Sequence, residues 1–360
     1  MVNMRLFTRF IPFLLVWTAT GWSGAAGTTR PAPGQDVFIQ RQLAEIFVHG
    51  TVPVPRGPLF NPLLNDNRYI GFGDSITYGT INHEPSPEKG YIPRLDAILD
   101  LAFGPTVVTN EGFEGEETSM AVLRLDYVLA AYQARYILIM EGTNDVTFLR
   151  PVETITANLR SLLTKSLDAG LLPAIATVIP RRDFRWSIPE YRSLHLAINA
   201  AIRLMAPELG VPLVDLYDIF SNFAVGGAEA LLSEDLKHPN EKGYQVMAES
   251  WAAAIKQYPF PPVEVRVRRD SDKILFYRRP GNMVTWLPNP KASESGMTGG
   301  FKVYRRKKGE GKDKFVLLSR VSGVEAYFDT AVTAGTTYEY VVSAFRADGL
   351  EGPTSTVVVL

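Results

Sequence analysis

The sequence predicts an α/β domain built on a parallel sheet, followed by an all-β sandwich. Two patterns predict this. Between residues 68 and 257, short apolar runs alternate with longer stretches of helical spacing, and strands that are apolar throughout need a helix layer on each face of their sheet. After Tyr258 the texture changes to roughly seven short strands in about 95 residues, several with period two, which is the signature of a sandwich. The chain has 360 residues, 46% of them hydrophobic, enough to build two cores.

Residues 1–26 read as a cleavable export signal. Arg5 and Arg9 supply positive charge, residues 10–19 are mostly apolar, and Ser23, Gly24, Ala25, Ala26 and Gly27 supply the small-residue cluster. The apolar run is shorter than the roughly 20 residues that span a bilayer, so no stable membrane insertion is expected after cleavage. Residues 27–67 form a lead-in, with a short helix at 37–48 and a loop-like stretch at 52–67 that holds four prolines and three asparagines. These readings place the mature protein in the periplasm or outside the cell.

The α/β pattern then runs in order. Strands are expected at 68–72, 106–109, 136–140, 172–178 and 212–215, each a short apolar run. Helices are expected at 91–101, 119–131, 152–168, 189–205 and 241–256. In the last of these Tyr244, Met247, Ala248 and Trp251 share one face, and Gly170 closes the third. Pro259, Pro261 and Pro262 make residues 258–262 a stiff linker, because proline fixes its own backbone and ends a helix. Residues 263–360 carry the second pattern, with strands at 263–267, 283–286, 301–305, 315–318, 326–328, 338–345 and 355–360. In the first, Val263, Val265 and Val267 alternate with Glu264 and Arg266.

Composition excludes several chemistries. A formal net charge of −1 gives no field for nucleic acid. With no cysteine there is no disulfide, no thiolate catalysis, no thiolate-ligated zinc and no lipid attachment through cysteine. His49, His83 and His195 have no partner at metal-ligand spacing in the sequence, so no metal or other cofactor is expected. His195 falls inside a helical pattern and reads as structural. His83 lies on a loop just past the first candidate motif, where it would line a pocket.

Three sets of residues carry chemistry. The first is Gly73-Asp74-Ser75-Ile76-Thr77, at the end of the first strand, where a parallel sheet presents its ligands. A helix N-cap is the competing reading of that serine. The second is Asp235-Leu236-Lys237-His238-Pro239-Asn240. A serine hydroxyl needs a base, and the base needs an acceptor on its other nitrogen. Three residues across a turn let Asp235 reach the His238 ring, and Pro239 suits the first turn of the next helix. The third set is Gly115, in Asn110-Glu111-Gly112-Phe113-Glu114-Gly115, and Asn144, in Glu141-Gly142-Thr143-Asn144-Asp145. Both follow strands and could offer N–H donors to an oxyanion, although a turn glycine and a helix cap are their ordinary readings.

Together these segments resemble the motif blocks of the SGNH, or GDSL, hydrolase family: Gly73-Asp74-Ser75, Asn110-x-Gly112-x-x-Gly115, Gly142-x-Asn144-Asp145 and Asp235-x-x-His238-Pro239, in family order over residues 68–257. The resemblance implies a flavodoxin-like three-layer α/β/α fold and metal-free acyl-ester hydrolysis. In that scheme Ser75 is the nucleophile, His238 the base, Asp235 its orienter, and Ser75 N–H, Gly115 N–H and the Asn144 amide the oxyanion hole. Glu114 and Glu116, flanking Gly115, depart from the small or neutral residues common there and would disfavour anionic substrates.

Residues 263–360 resemble a fibronectin type III module, with Trp286 as core tryptophan and Val332-x-x-Gly335-x-x-Tyr338 similar to its tyrosine corner. The basic run Arg305 to Lys308 reads as a solvated hairpin end. Export and the appended module favour short-chain or O-acetyl esters on a carbohydrate as substrate, the module being a candidate for glycan or cell-surface contact. A lysophospholipase or thioesterase is the alternative within the same chemistry, and a non-catalytic cell-surface or glycan-binding protein the alternative outside it.

Overall fold

The computed structural model describes residues 65–274, 277–290, 298–311 and 314–360. The expected signal at 1–26 and the helix at 37–48 lie outside these residues. No helix among the described residues is long and apolar enough to cross a membrane.

Five parallel strands form the central sheet: β1 (Asn65–Gly73), β2 (Val107–Gly112), β3 (Ala134–Met140), β4 (Leu172–Ala176) and β5 (Leu213–Val214), in the order β2-β1-β3-β4-β5. Alternate side chains serve the two faces, as a pleated strand requires. Tyr69, Tyr136, Leu138 and Met140 pack on one face with α2 (Tyr91–Phe103) and α8 (Glu241–Ile255). Ile70, Phe72, Ile137 and Ile139 pack on the other with α3 (Thr118–Ala131), α5 (Val152–Asp168) and α6 (Pro189–Leu209). This is the three-layer arrangement with flavodoxin-like strand order, and its topological switch point lies where β1 meets β2 and β3.

The sequence boundaries need three corrections. β1 begins at Asn65, inside the stretch expected to be loop, because Asn65 already pairs with Ala134 across a bulge. α6 runs past residue 205 to Leu209 with Pro207 inside it, and Gly210, in a left-handed conformation, ends it. Strand β4 stops at Ala176, two residues early, where the chain turns toward α6.

The C-terminal strands form two antiparallel sheets. One holds β6 (Val263–Ile274), β7 (Tyr277–Leu287) and β10 (Ala326–Asp329), in the order β10-β7-β6. The other holds β8 (Thr298–Lys307), β9 (Val316–Val321), β11 (Tyr338–Arg346) and β12 (Glu351–Thr354), in the order β9-β8-β11-β12, with β13 (Val358–Val359) also on β11. Val284, Trp286, Phe301, Val303, Tyr340 and Val342 fill the core between them. Tyr338 Oη accepts from the Thr333 N–H at 3.1 Å, tying β11 back to the preceding turn. The strand expected at 355–360 is only the two-residue β13, and β12 precedes it at Glu351–Thr354. Arg305 pairs with Asp329 and Arg306 with Glu339, so half of the basic run is neutralised locally.

Candidate active site

Ser75 follows β1 as the first residue of a four-residue helix, α1 (Ser75–Tyr78). Asp74 is the N-cap, its Oδ1 accepting from Ile76 N–H at 2.8 Å. The cap role weighed for Ser75 therefore belongs to Asp74. As the first helical residue, Ser75 has an N–H without an intrahelical acceptor. The elbow is tight: a Cβ on Gly73 would stand 2.4 Å from the Met140 carbonyl and 2.3 Å from Thr77 Oγ1. Only glycine lets β1 and β3 end side by side at this point.

His238 reaches the same place from a loop closed by Ser233, whose N–H donates to the His238 carbonyl at 2.8 Å. Ser75 Oγ and His238 Nε2 are 2.9 Å apart, and His238 Nδ1 lies 2.6 Å from Asp235 Oδ2. Ser75 and a pair of residues that ends 163 positions later thus form one continuous hydrogen-bonded chain. Asp235 is not a helix cap. Its Oδ1 accepts from Ser233 Oγ and from the N–H groups of Lys237 and His238 at 2.8–3.0 Å. Burial pushes its carboxyl up, but the His238 ring and these backbone donors outweigh burial and hold it well below the usual carboxylate range. Pro239 does not start the next helix as expected: Asn240 follows it as N-cap of α8, taking the Gly243 N–H at 2.9 Å.

Asn144 lies in α4 (Thr143–Thr147), whose cap is Gly142. It is buried, and its Nδ2 donates to the Glu116 carbonyl at 2.8 Å. One N–H of the amide is thereby fixed and the second keeps its donor capacity. Gly115, adjacent to that carbonyl, has φ of 77° and open space where a Cβ would stand. The two oxyanion candidates are therefore linked through one turn. Asp145 secures the turn, accepting from Thr118 N at 2.9 Å and Thr118 Oγ1 at 2.6 Å.

The flanking glutamates behave differently from the charges expected of them. Glu116 is buried and bound by Arg124, and Glu114 accepts from Thr80 Oγ1. The Glu116 charge is compensated by Arg124, whereas exposed Glu114 meets only a neutral hydroxyl, so the expected bias against anionic substrates rests on Glu114 alone. Sequence reasoning missed Glu141, fully buried after β3 with no hydrogen-bond partner on either carboxylate oxygen. Burial first, then the nearby Asp74, Glu116 and Asp145 carboxylates, raise its pKa well above the ordinary value and favour its neutral form. No spacing rule could have found it, since two of the three neighbouring carboxylates, Asp74 and Glu116, come from other segments.

His195 is buried as a structural histidine, its Nε2 3.2 Å from the Val178 carbonyl. His83 lies at the site, its Nδ1 3.7 Å from Asp235 Oδ2 and its ring edge-on to His238. His83, Asp235 and His238 place one ligand atom each within 4.8 Å of one another, a grouping that sequence spacing did not reveal.

Comparison with known proteins agrees in kind. Residues 72–246 match the GDSL-like Lipase/Acylhydrolase family. The match supports a GDSL-type hydrolase domain over those residues and, with it, ester hydrolysis. An uncharacterized lipoprotein, YqeF, of Bacillus subtilis is 26% identical over 209 residues, 50% of this chain and 86% of that protein. Among solved structures, a lipase/acylhydrolase from Enterococcus faecalis aligns with a TM-score of 0.46 at 22% identity, over 52% of this chain and 95% of that one. An acetylxylan esterase from Geobacillus stearothermophilus aligns with a TM-score of 0.43 at 20% identity, over 54% and 96% respectively.

Proposed function

We propose that this chain is an exported serine esterase. Ser75 attacks the ester carbonyl while His238 takes its proton, and Asp235 holds the imidazole in the tautomer that leaves Nε2 free to accept. The Ser75 and Gly115 N–H groups and the Asn144 amide receive the oxyanion. His238 then protonates the leaving alcohol, and water, activated by the same imidazole, releases the acid. The observation that carries this reading is the unbroken Ser75–His238–Asp235 chain at 2.9 and 2.6 Å.

The substrate we propose is a short-chain or O-acetyl ester on a carbohydrate. Phe113, Phe148 and Phe184 are exposed beyond the carboxyl ends of β2, β3 and β4, Phe148 capping the end of α4 and Phe184 opening a short 3-10 helix, so apolar side chains are available beyond the sheet edge that bears Ser75. Such side chains suit a sugar ring or an acyl group. For the C-terminal strands we propose a fibronectin type III-like module that touches glycan or the cell surface. The three- and five-stranded sheets, buried Trp286 and the Tyr338 tie support it.

Ser75→Ala should abolish hydrolysis of p-nitrophenyl acetate while leaving the circular dichroism spectrum unchanged. A rate equal to that of the unmutated protein would end the assignment. A series of p-nitrophenyl esters, run beside acetylated polysaccharides, ranks the substrate classes. Preference for long acyl chains would favour the lipid-hydrolase alternative.

A further inference from the structure

Residues Thr80–Ile81 and Glu84–Pro85 form a small antiparallel ribbon, with Thr80 opposite Pro85 and Ile81 opposite Glu84. Its two-residue turn is Asn82-His83, with φ of 49° and 66°. A turn with both central residues left-handed favours Asn-Gly, and a histidine in the second place costs about 1 kcal/mol relative to glycine. The position is strained, and it projects an imidazole at a catalytic centre.

The ribbon is docked onto the acid loop. Asn82 N–H donates to Ser233 Oγ at 3.2 Å, and Ser233 Oγ donates to Asp235 Oδ1 at 3.0 Å. The docking fixes His83 Nδ1 3.7 Å from Asp235 Oδ2, with the His83 and His238 rings at 86° and their centroids 5.7 Å apart. The His83 side chain is 68% exposed, whereas that of Asp235 is 1% exposed. The cluster therefore has a buried floor and one ligand open to solvent.

We propose that His83, Asp235 and His238 form an inhibitory site for a divalent transition ion of the Zn²⁺ class. Two imidazoles and one carboxylate are the donor set that such an ion selects, with a fourth position left to water. Ligands about 2.0–2.1 Å from a tetrahedral ion stand about 3.3 Å apart. Here the Asp235 oxygen is 2.6 Å from His238 Nδ1 and 3.7 Å from His83 Nδ1. Shifts of less than about 1 Å bring both separations to the required value: the exposed His83 side chain closes the longer one, and the buried Asp235 and His238 side chains part to open the shorter.

The consequence follows from proton placement and rests on the esterase reading above. An ion on His238 Nδ1 displaces the proton held there toward Asp235. That proton moves through solvent to Nε2, so the imidazole stays neutral with its tautomer reversed. Nε2 then donates to Ser75 Oγ and no longer accepts, and the serine has no base. Removing the ion restores the active tautomer, so inhibition is reversible.

The test compares the unmutated protein with His83→Gly, which gives the turn its preferred sequence and should fold at least as well. Zn²⁺ binding is followed by titration calorimetry, and p-nitrophenyl acetate hydrolysis is followed with and without EDTA. The unmutated protein should bind one Zn²⁺ and lose activity in parallel, with EDTA restoring it. In H83G, affinity and inhibition should each weaken at least tenfold, inhibition being referred to that protein's own metal-free rate. Equal Zn²⁺ affinity in the two proteins, or no binding to the unmutated one, would overturn the site. Calorimetry does not depend on turnover, so a protein that binds Zn²⁺ through His83 but hydrolyses no ester would refute the esterase reading and leave the metal site standing.

Discussion

Asp235 spends both carboxylate oxygens on fixed donors: Oδ1 on Ser233, Lys237 and His238, and Oδ2 on the imidazole. Replacing it with Asn leaves the shape but puts an amide opposite His238 Nδ1. Asp235→Asn should therefore lower kcat by on the order of 10⁴-fold, read by steady-state kinetics at neutral pH. Asn144 contributes one donor, so Asn144→Ala should lower kcat about 10²- to 10³-fold with little change in KM. The triad and Asn144 were legible in the sequence because each lies in a short motif. His83 was legible only as a pocket-lining loop residue, and the roles of Ser233 and Glu141 were not, because they depend on how the loops fold. His83 reaches Asp235 across 152 positions, through a turn too short to read from apolar periodicity.

At the scale of elements, α6 and the chain leaving β4 are joined by two buried side chains. Asn199 binds both the N–H and the carbonyl of Val178, and His195 meets the same carbonyl. Burial lowers the His195 pKa from 6.5 to about 4. The unfolded chain therefore takes up a proton between these values that the folded chain refuses. Stability attributable to His195 is complete above pH 6.5 and falls as pH drops toward 4, by on the order of 3 kcal/mol. Urea midpoints measured across that window should fall with acidification, and His195→Gln should flatten the fall. Gly73 sets the junction of β1 and β3. Gly73→Ala should cost about 1–3 kcal/mol in urea unfolding, because the carbonyl it meets is backbone and cannot rotate away. Helices and strands with one buried stripe were readable from apolar spacing. Of the β6–β7 ribbon only one end was, at 263–267 and 283–286: it extends from Val263–Leu287 to Ile274–Tyr277, with a register shift between Val263 and Arg266. Charged residues such as Arg268, Arg269 and Asp270 interrupt the alternation that marks a half-buried strand.

Across the whole molecule, four segments from distant parts of the chain meet at the carboxyl edge of one sheet, and the C-terminal part touches the α/β part elsewhere. Leu350 belongs to the core of the α/β part, and a Cβ on Gly352 would stand 1.8 Å from the Pro259 carbonyl. Leu350→Ala should thus destabilise the α/β part by about 2–5 kcal/mol, seen as a lower melting temperature for loss of esterase activity. The layered architecture was legible because both periodicities run unbroken over long stretches. The packing of the two parts against each other was not, since it rests on a few side chains beyond a proline-rich linker. The convergence at the sheet edge is tested most directly by labelling the folded protein with a fluorophosphonate and mapping the adduct by peptide mass spectrometry. A single adduct on Ser75 is expected, lost when His238 is replaced by Ala. No adduct, or an adduct on another serine with Ser75 unmodified, would contradict it.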